Sequence, residues 1–287
     1  MGRVSKIPAA PEPLSAPVFD SHCHLDIMVG NRQASSGDPV AQAAQAAAAS
    51  VESILAEARA VGVTRLLTIG YDLPSSRWNA QVAAEHEGIY AGVAIHPNES
   101  HACTPEVLAE IESLAGRPEV RAVGETGLDY YRDWATKEDQ HAAFRAHIEI
   151  AKRTGKALVI HDREAHDDVL AILLEEGAPD RVVFHCFSGD ERMAEVCAER
   201  GYVMSFAGNI TFKNADPLRA ALQVAPLDLV LVETDAPFLT PIPHRGKRNA
   251  SYLIPHTVRA MAEIKGVDVA ELCAAIAATG ERVFGPW

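Results

Sequence analysis

The sequence predicts an α/β fold, a single (β/α)8 TIM barrel with its functional residues at the C-terminal ends of the strands. Three observations carry that expectation. The chain has 287 residues, comfortable for one barrel of about 250 residues. Eight short apolar runs rich in β-branched residues alternate with amphipathic stretches, the pattern of buried parallel strands and covering helices. Several of these runs close on a histidine or an acid. An open doubly wound sheet is the main rival, but it would bring a Gly-rich phosphate loop after an early strand. Neither G-x-G-x-x-G nor G-x-x-x-x-G-K-[ST] occurs.

Taken in order, residues 1–16 are Pro- and Ala-rich, carry Arg3 and Lys6, and lack the apolar core of a signal peptide. They read as a flexible N-terminal extension, and residues 17–287 as one barrel domain without an internal boundary. The first strand is expected at 18–25. Ser35-Ser36-Gly37-Asp38-Pro39 reads as a loop, and the Ala-rich stretch 41–49 as an exposed first helix. Further strands are expected at 65–70, 89–96, 120–125, 157–161, 181–185, 202–207 and 229–235. Between them, Leu108, Ile111 and Leu114 recur at helical spacing before Gly116. Phe144, Ile148 and Ala151 share one face of a helix over 137–154, and Val169, Ile172 and Leu173 do so before Gly177.

Composition narrows the function classes. The chain is 48% hydrophobic and 23% charged, enough apolar content for a large core and ordinary for a soluble enzyme. No apolar run approaches the roughly 20 residues of a membrane span. Five scattered cysteines without C-x-x-C pairing suggest reduced thiols and a cytoplasmic protein. A net charge of −13 argues against a broad basic groove tracking many phosphates. It leaves open an acid-rich site where divalent cations provide the positive charge locally.

The most informative segment is Asp20-Ser21-His22-Cys23-His24-Leu25. Alternate strand side chains share a face, so His22 and His24 project the same way, and two imidazoles make half of a transition-metal site. Cys23 should face the other way and pack against helices. Of the 12 histidines, five fall at strand ends: His22, His24, His96, His161 and His185. In a barrel those ends surround one pocket. Glu125, in Val123-Gly124-Glu125-Thr126-Gly127-Leu128-Asp129, interrupts an apolar strand end, and a carboxylate can bridge two cations where a neutral imidazole cannot. Asp235 takes the matching place after the last strand, with Glu233 one layer deeper as a supporting or paired acid. Four histidines and two acids exceed what one tetrahedral ion needs and suit a pair of ions roughly 3.5–4 Å apart. The chemistry implied is metal-assisted hydrolysis. Spacing does not choose among Mg²⁺, Mn²⁺ and Zn²⁺.

These motifs, with Ile160-His161-Asp162-Arg163, His185-Cys186-Phe187-Ser188-Gly189 and Glu233-Thr234-Asp235-Ala236-Pro237, together resemble the TatD family of metal-dependent deoxyribonucleases. The resemblance runs in order from about Val18 to Phe284. It implies a barrel of the metallo-dependent hydrolase type acting as a 3′→5′ exonuclease on DNA, with a water activated by two metals and no organic cofactor. By the same resemblance, His22, His24, Glu125 and Asp235 ligate one ion, and Glu125, His161 and His185 the second. Asp235 doubles as the general base. Pro243-His244-Arg245-Gly246-Lys247-Arg248-Asn249 resembles the family's Arg-Gly-Lys-Arg-Asn loop, and Arg245, Lys247 and Arg248 beside a metal pair are suited to phosphate. Family members often continue that loop with an acid and a proline, where this chain has Ala250-Ser251. His96, Arg163 and Lys213 are further candidate substrate contacts, and Tyr130, Tyr131 and Phe187 either stack on a base or pack at the barrel mouth.

Two other function classes compete. An amide or ester hydrolase, such as a cyclic amidase or an aminoacyl-tRNA deacylase, uses the same scaffold. Many binuclear amide hydrolases, however, bridge their metals with a modified lysine from the fourth strand, where this chain has Glu125. A non-catalytic metal-binding barrel would not need all six groups.

Overall fold

The computed structural model describes residues 8–31 and 49–286. The loop expected at 35–39 and the helix expected over 41–49 fall outside the described residues, save Ala49, which is not helical. Eight strands are present: β1 (Val18–Cys23), β2 (Val63–Ile69), β3 (Ile89–Val93), β4 (Val120–Asp129), β5 (Ala157–Arg163), β6 (Val182–Phe184), β7 (Val203–Phe206) and β8 (Val230–Val232). They pair in parallel in sequence order. A parallel bridge between Cys23 and Ala236 brings the two ends of the sheet together. Across the same seam the Asp235 N–H donates to the His22 carbonyl at 2.9 Å, and the His24 N–H to that of Ala236 at 2.8 Å. The closure therefore runs through site residues themselves.

The described helices are α1 (Leu25–Met28), α2 (Val51–Ala60), α3 (Leu73–Glu85), α4 (Pro105–Ala115), α5 (Lys137–Thr154), α6 (His166–Glu176), α7 (Glu191–Glu199), α8 (Asp216–Val224), α9 (Ile254–Lys265) and α10 (Val269–Phe284). The helix α5 has the expected bounds, and local chemistry explains both ends. The Thr136 hydroxyl caps the first turn by accepting the Asp139 N–H at 3.1 Å. Gly155 stops the helix in the left-handed region, at φ 63°. Its apolar face, with Phe144, Ile148 and Ala151, is buried. Of the N-terminal extension, residues 8–16 are described. The Leu14 N–H donates to the Val61 carbonyl at 3.0 Å, and the Tyr252 hydroxyl to the Pro8 carbonyl at 2.8 Å.

Strand ends depart from expectation where the chain leaves the ladder to build the site. β4 runs four residues past Glu125 to Asp129. β6 and β8 stop short, so His185 and Asp235 follow their strands instead of ending them. Cys186 and Asp235 sit at positive φ, 41° and 52°. Asp tolerates this conformation better than most side chains because its short carboxylate bonds locally.

Candidate active site

β1 begins the site as its sequence suggests. Asp20, His22 and His24 share a face, and all three are buried. Asp20 lies deepest, accepting the Thr234 N–H at 2.9 Å and its hydroxyl at 2.6 Å, which ties β1 to the turn that presents Asp235. Burial pushes the Asp20 carboxyl up to about 7, against those hydrogen bonds. His24 donates Nδ1–H to the Ile69 carbonyl at 3.2 Å, leaving Nε2 facing the pocket. Cys23 points away, with Sγ 3.6 Å from the Leu67 carbonyl, and burial raises its thiol far above the ordinary range.

Glu125 stands at the centre. One carboxylate oxygen, Oε1, lies 3.6 Å from His24 Nε2 and 3.8 Å from His22 Nε2. The other, Oε2, lies 2.9 Å from His185 Nε2 and 3.2 Å from His161 Nδ1. Asp235 closes the first pair, with Oδ1 3.4 Å from His24 Nε2 and 3.9 Å from His22 Nε2. The strand leaves this position through Gly127, at φ 139°, where an added Cβ would sit 2.0 Å from the His161 carbonyl oxygen. Only glycine fits there.

Each histidine of the second pair is backed by a further carboxylate. His185 donates Nδ1–H to Glu233 Oε1 at 3.3 Å, and His161 Nε2 lies 3.3 Å from Asp129 Oδ2. This realises the supporting role open to Glu233. Asp129 carried no assigned role in the sequence, because β4 was expected to end at Glu125. Continued alternation, 125–127–129, is the signal that would have found it.

The donor set fits a cation. Burial alone would raise the Glu125 carboxyl, but His185 and His96 beside it hold it well below the usual carboxylate range. Burial works against protonation of His24 and His185, yet Asp235 and Glu125 bring His24 up to about 9, and Glu125 with Glu233 lifts His185 well above its ordinary value. The acids thus draw positive charge into the pocket, the demand a divalent cation meets. His22 is the converse. Burial, then His185, keeps its ring neutral, and neither ring nitrogen has a hydrogen-bond partner. A buried neutral imidazole without a partner is costly unless its lone pair has an electrophile to bind. Donor atoms of His22, His24 and Glu125 lie within 4.8 Å of one another, as do those of Glu125, His161 and His185, and of His22, His185 and Asp235. His96, Asp129 and His161 form a fourth such group. There, however, His96 Nδ1 already accepts the Asn98 N–H at 3.0 Å.

The remaining expected contacts are more dispersed. His96 Nε2 is 3.9 Å from Glu125 Oε2, inside the cluster. Arg163 ends β5, its guanidinium 3.8 Å from the Tyr131 ring centroid. Lys213 is exposed beyond the 3-10 turn Gly208–Thr211. Arg245 lies over the Phe212 ring at 4.3 Å, Lys247 is half-buried, and Arg248 donates to the Met28 carbonyl at the end of α1. Asn249, buried, fastens this basic loop beside Asp235 by donating Nδ2–H to the Thr234 carbonyl at 2.9 Å and the Phe238 carbonyl at 2.7 Å. Phe187 takes the packing alternative: it is 1% exposed and packs on Phe206, so it offers no face to a base. Tyr130 is committed too, its hydroxyl donating to Asp168 at 2.5 Å beside His141. Tyr131 remains open to solvent.

Comparison with known proteins gives the family. The family model described as TatD related DNase matches residues 19–285. The chain is 42% identical to an uncharacterized metal-dependent hydrolase TatD of Mycobacterium tuberculosis (strain ATCC 25618 / H37Rv), over 93% of this chain and 98% of that relative. It is 32% identical to the 3′-5′ ssDNA/RNA exonuclease TatD of Klebsiella pneumoniae (strain 342), over 82% and 91%. The fold is that of the crystal structure of YJJV, a TatD homologue from Escherichia coli K12, with TM-score 0.82 and 24% identity over 94% and 98% of the two chains. No described helix is long and apolar enough to cross a membrane. The chain belongs to the TatD-related DNase family of metal-dependent hydrolases.

Proposed function

We propose that the protein is a metal-dependent phosphodiester hydrolase, a deoxyribonuclease that removes nucleotides from 3′ ends, working with two divalent cations. The observation that carries this reading is the division of the Glu125 carboxylate, one oxygen toward His22 and His24 and the other toward His161 and His185. His22, His24, Glu125 and Asp235 would hold one cation, and Glu125, His161 and His185 the other. A pair of Mg²⁺, Mn²⁺ or Zn²⁺ ions supplies charge to neutralise a phosphoryl group and to acidify a water.

The chain's own groups do the rest. Asp235, half-buried at the mouth, accepts the proton of the attacking water. Burial, then His161, holds the His96 ring neutral, with its pKa down to about 3. Because His96 Nδ1 accepts the Asn98 N–H, the proton of the neutral ring sits on Nε2, where it donates to a phosphoryl oxygen. Glu233 and Asp129 hold His185 and His161 in their orientations. Arg163, Lys213, Arg245, Lys247 and Arg248 contact the nucleic-acid backbone. The Klebsiella relative's activity supports a nucleic-acid substrate. Five free cysteines accord with a reducing cytoplasm.

The test is digestion of 3′-labelled and 5′-labelled single-stranded DNA with EDTA, Mg²⁺, Mn²⁺ or Zn²⁺, alongside Asp235→Asn. Mononucleotides should leave the 3′ end only when metal is present, and not in the variant. No cleavage with any metal would overturn the reading in favour of amide or ester substrates.

A further inference from the structure

Among the described residues, only two of the exposed large hydrophobic side chains are aromatic, Tyr131 and Trp134, each 59% exposed. Both lie on the segment 130–136 that joins β4 to α5. Each ring has a guanidinium across its face, Arg163 over Tyr131 at 3.8 Å and Arg132 over Trp134 at 4.3 Å. Two large rings held open to solvent on one loop forgo burial that the core would otherwise gain from them.

The segment is rooted in the site. Asp129 accepts the N–H groups of Tyr131 and Arg132 on Oδ1, at 3.0 and 3.1 Å, while its Oδ2 lies 3.3 Å from His161 Nε2. The Tyr130 N–H donates to the Arg163 carbonyl at 2.9 Å, and Arg163 follows His161 by two residues on β5. One carboxylate thus fixes both a cluster histidine and the first turn of the aromatic segment.

We propose that Tyr131 and Trp134, with Arg163 and Arg132, form a stacking platform for the unpaired bases next to the terminal phosphodiester of a single-stranded nucleic acid. This rests on the phosphodiesterase reading above. Every base has a π-face, so aromatic stacking holds a strand without reading its sequence, at about 1–3 kcal/mol per base. The guanidinium groups bridge ring to phosphate. Exposed Asp133 and Glu138 offset part of that positive charge, and the whole chain carries −13. Stacking therefore supplies binding that adds to the phosphate contacts of the neighbouring basic side chains.

The probe is a phosphorothioate-linked octathymidylate, which resists hydrolysis, titrated with Mg²⁺ present and followed by tryptophan emission and by anisotropy of a labelled copy. Wild-type protein should bind it with quenching, and Trp134→Phe should bind equally while losing most of the quench. Trp134→Ala and Tyr131→Ala should each weaken binding roughly 5- to 150-fold. Their loss of kcat/KM on single-stranded DNA should exceed any loss on bis(4-nitrophenyl) phosphate by about fivefold or more. No binding by the wild type, or alanine variants that bind as it does, overturns the platform and leaves the rings to a protein partner. Wild type that binds the probe through Trp134 yet cuts no DNA retains the platform and overturns the phosphodiesterase reading instead.

Discussion

At the scale of the residue, the site is a set of imidazoles whose nitrogens are assigned by their neighbours. His24 spends Nδ1 on the Ile69 carbonyl and His185 spends Nδ1 on Glu233, so both turn Nε2 toward Glu125. Such backing orients a metal-binding ring and raises its basicity. Glu233→Gln should therefore lower divalent-cation affinity by about 10- to 100-fold, read by titration calorimetry, and an unchanged Kd would deny Glu233 that role. Much of this level was legible in the chain. The i, i+2 spacing of Asp20, His22 and His24 gives a shared face from strand geometry alone. Asp129 and Trp134 were not legible, because both depend on how far β4 continues and how the following segment turns. The choice between packing and stacking at Phe187 was not legible for a similar reason. Cys186 takes a positive φ of 41°, and the next side chain lies inward on Phe206, an outcome of backbone path that composition does not encode.

At the scale of the element, two packing decisions can be tested. Gly280 lies inside α10, where Ala would ordinarily gain about 1 kcal/mol. A Cβ there would stand 2.1 Å from Phe19 Cε1, and that ring is also wedged edge-on against Phe284 at 6.1 Å. Overpacking of this kind costs about 1–3 kcal/mol, so steric cost should outweigh propensity. Gly280→Ala is expected to lower the urea midpoint, and a raised midpoint would contradict the packing. His147 of α5 donates Nδ1–H to the Ala143 carbonyl at 2.7 Å and accepts the Ile95 N–H at 3.1 Å on Nε2. Burial, opposed by the Ala143 hydrogen bond, lowers its pKa to about 4. Between pH 6.5 and 4 the unfolded chain takes up a proton that the folded chain refuses, so stability falls as pH drops through that window. From pH 7 to pH 5 the wild type should lose about 2 kcal/mol more than His147→Gln in urea unfolding. Equal losses would show that His147 is not held neutral. Element type and order followed from apolar periodicity. Strand ends did not, because β6 and β8 yield their last residues to the loops that carry His185 and Asp235.

At the scale of the whole molecule, closure of the barrel and assembly of the site are one event. The seam between β1 and β8 is fastened by His22, His24, Asp235 and Ala236, so the first and last parts of the chain meet at the residues of the proposed metal site. That convergence was legible because barrel topology alone gathers strand ends to one face. The basic loop was legible as a cluster, although its Arg248 leans on α1 and its position is held by Asn249. The acidic balance of −13 is coherent with a site that obtains its positive charge from cations.

The central claim is that Glu125 joins two halves of one metal site. The most direct measurement compares wild type and Glu125→Ala for bound Mn²⁺ per chain and for hydrolysis of single-stranded DNA, with circular dichroism confirming the fold of each. Wild type should bind two ions, and the variant fewer, with activity down about a thousandfold and its spectrum unchanged. A folded Glu125→Ala that keeps two ions or near-normal turnover would contradict the account.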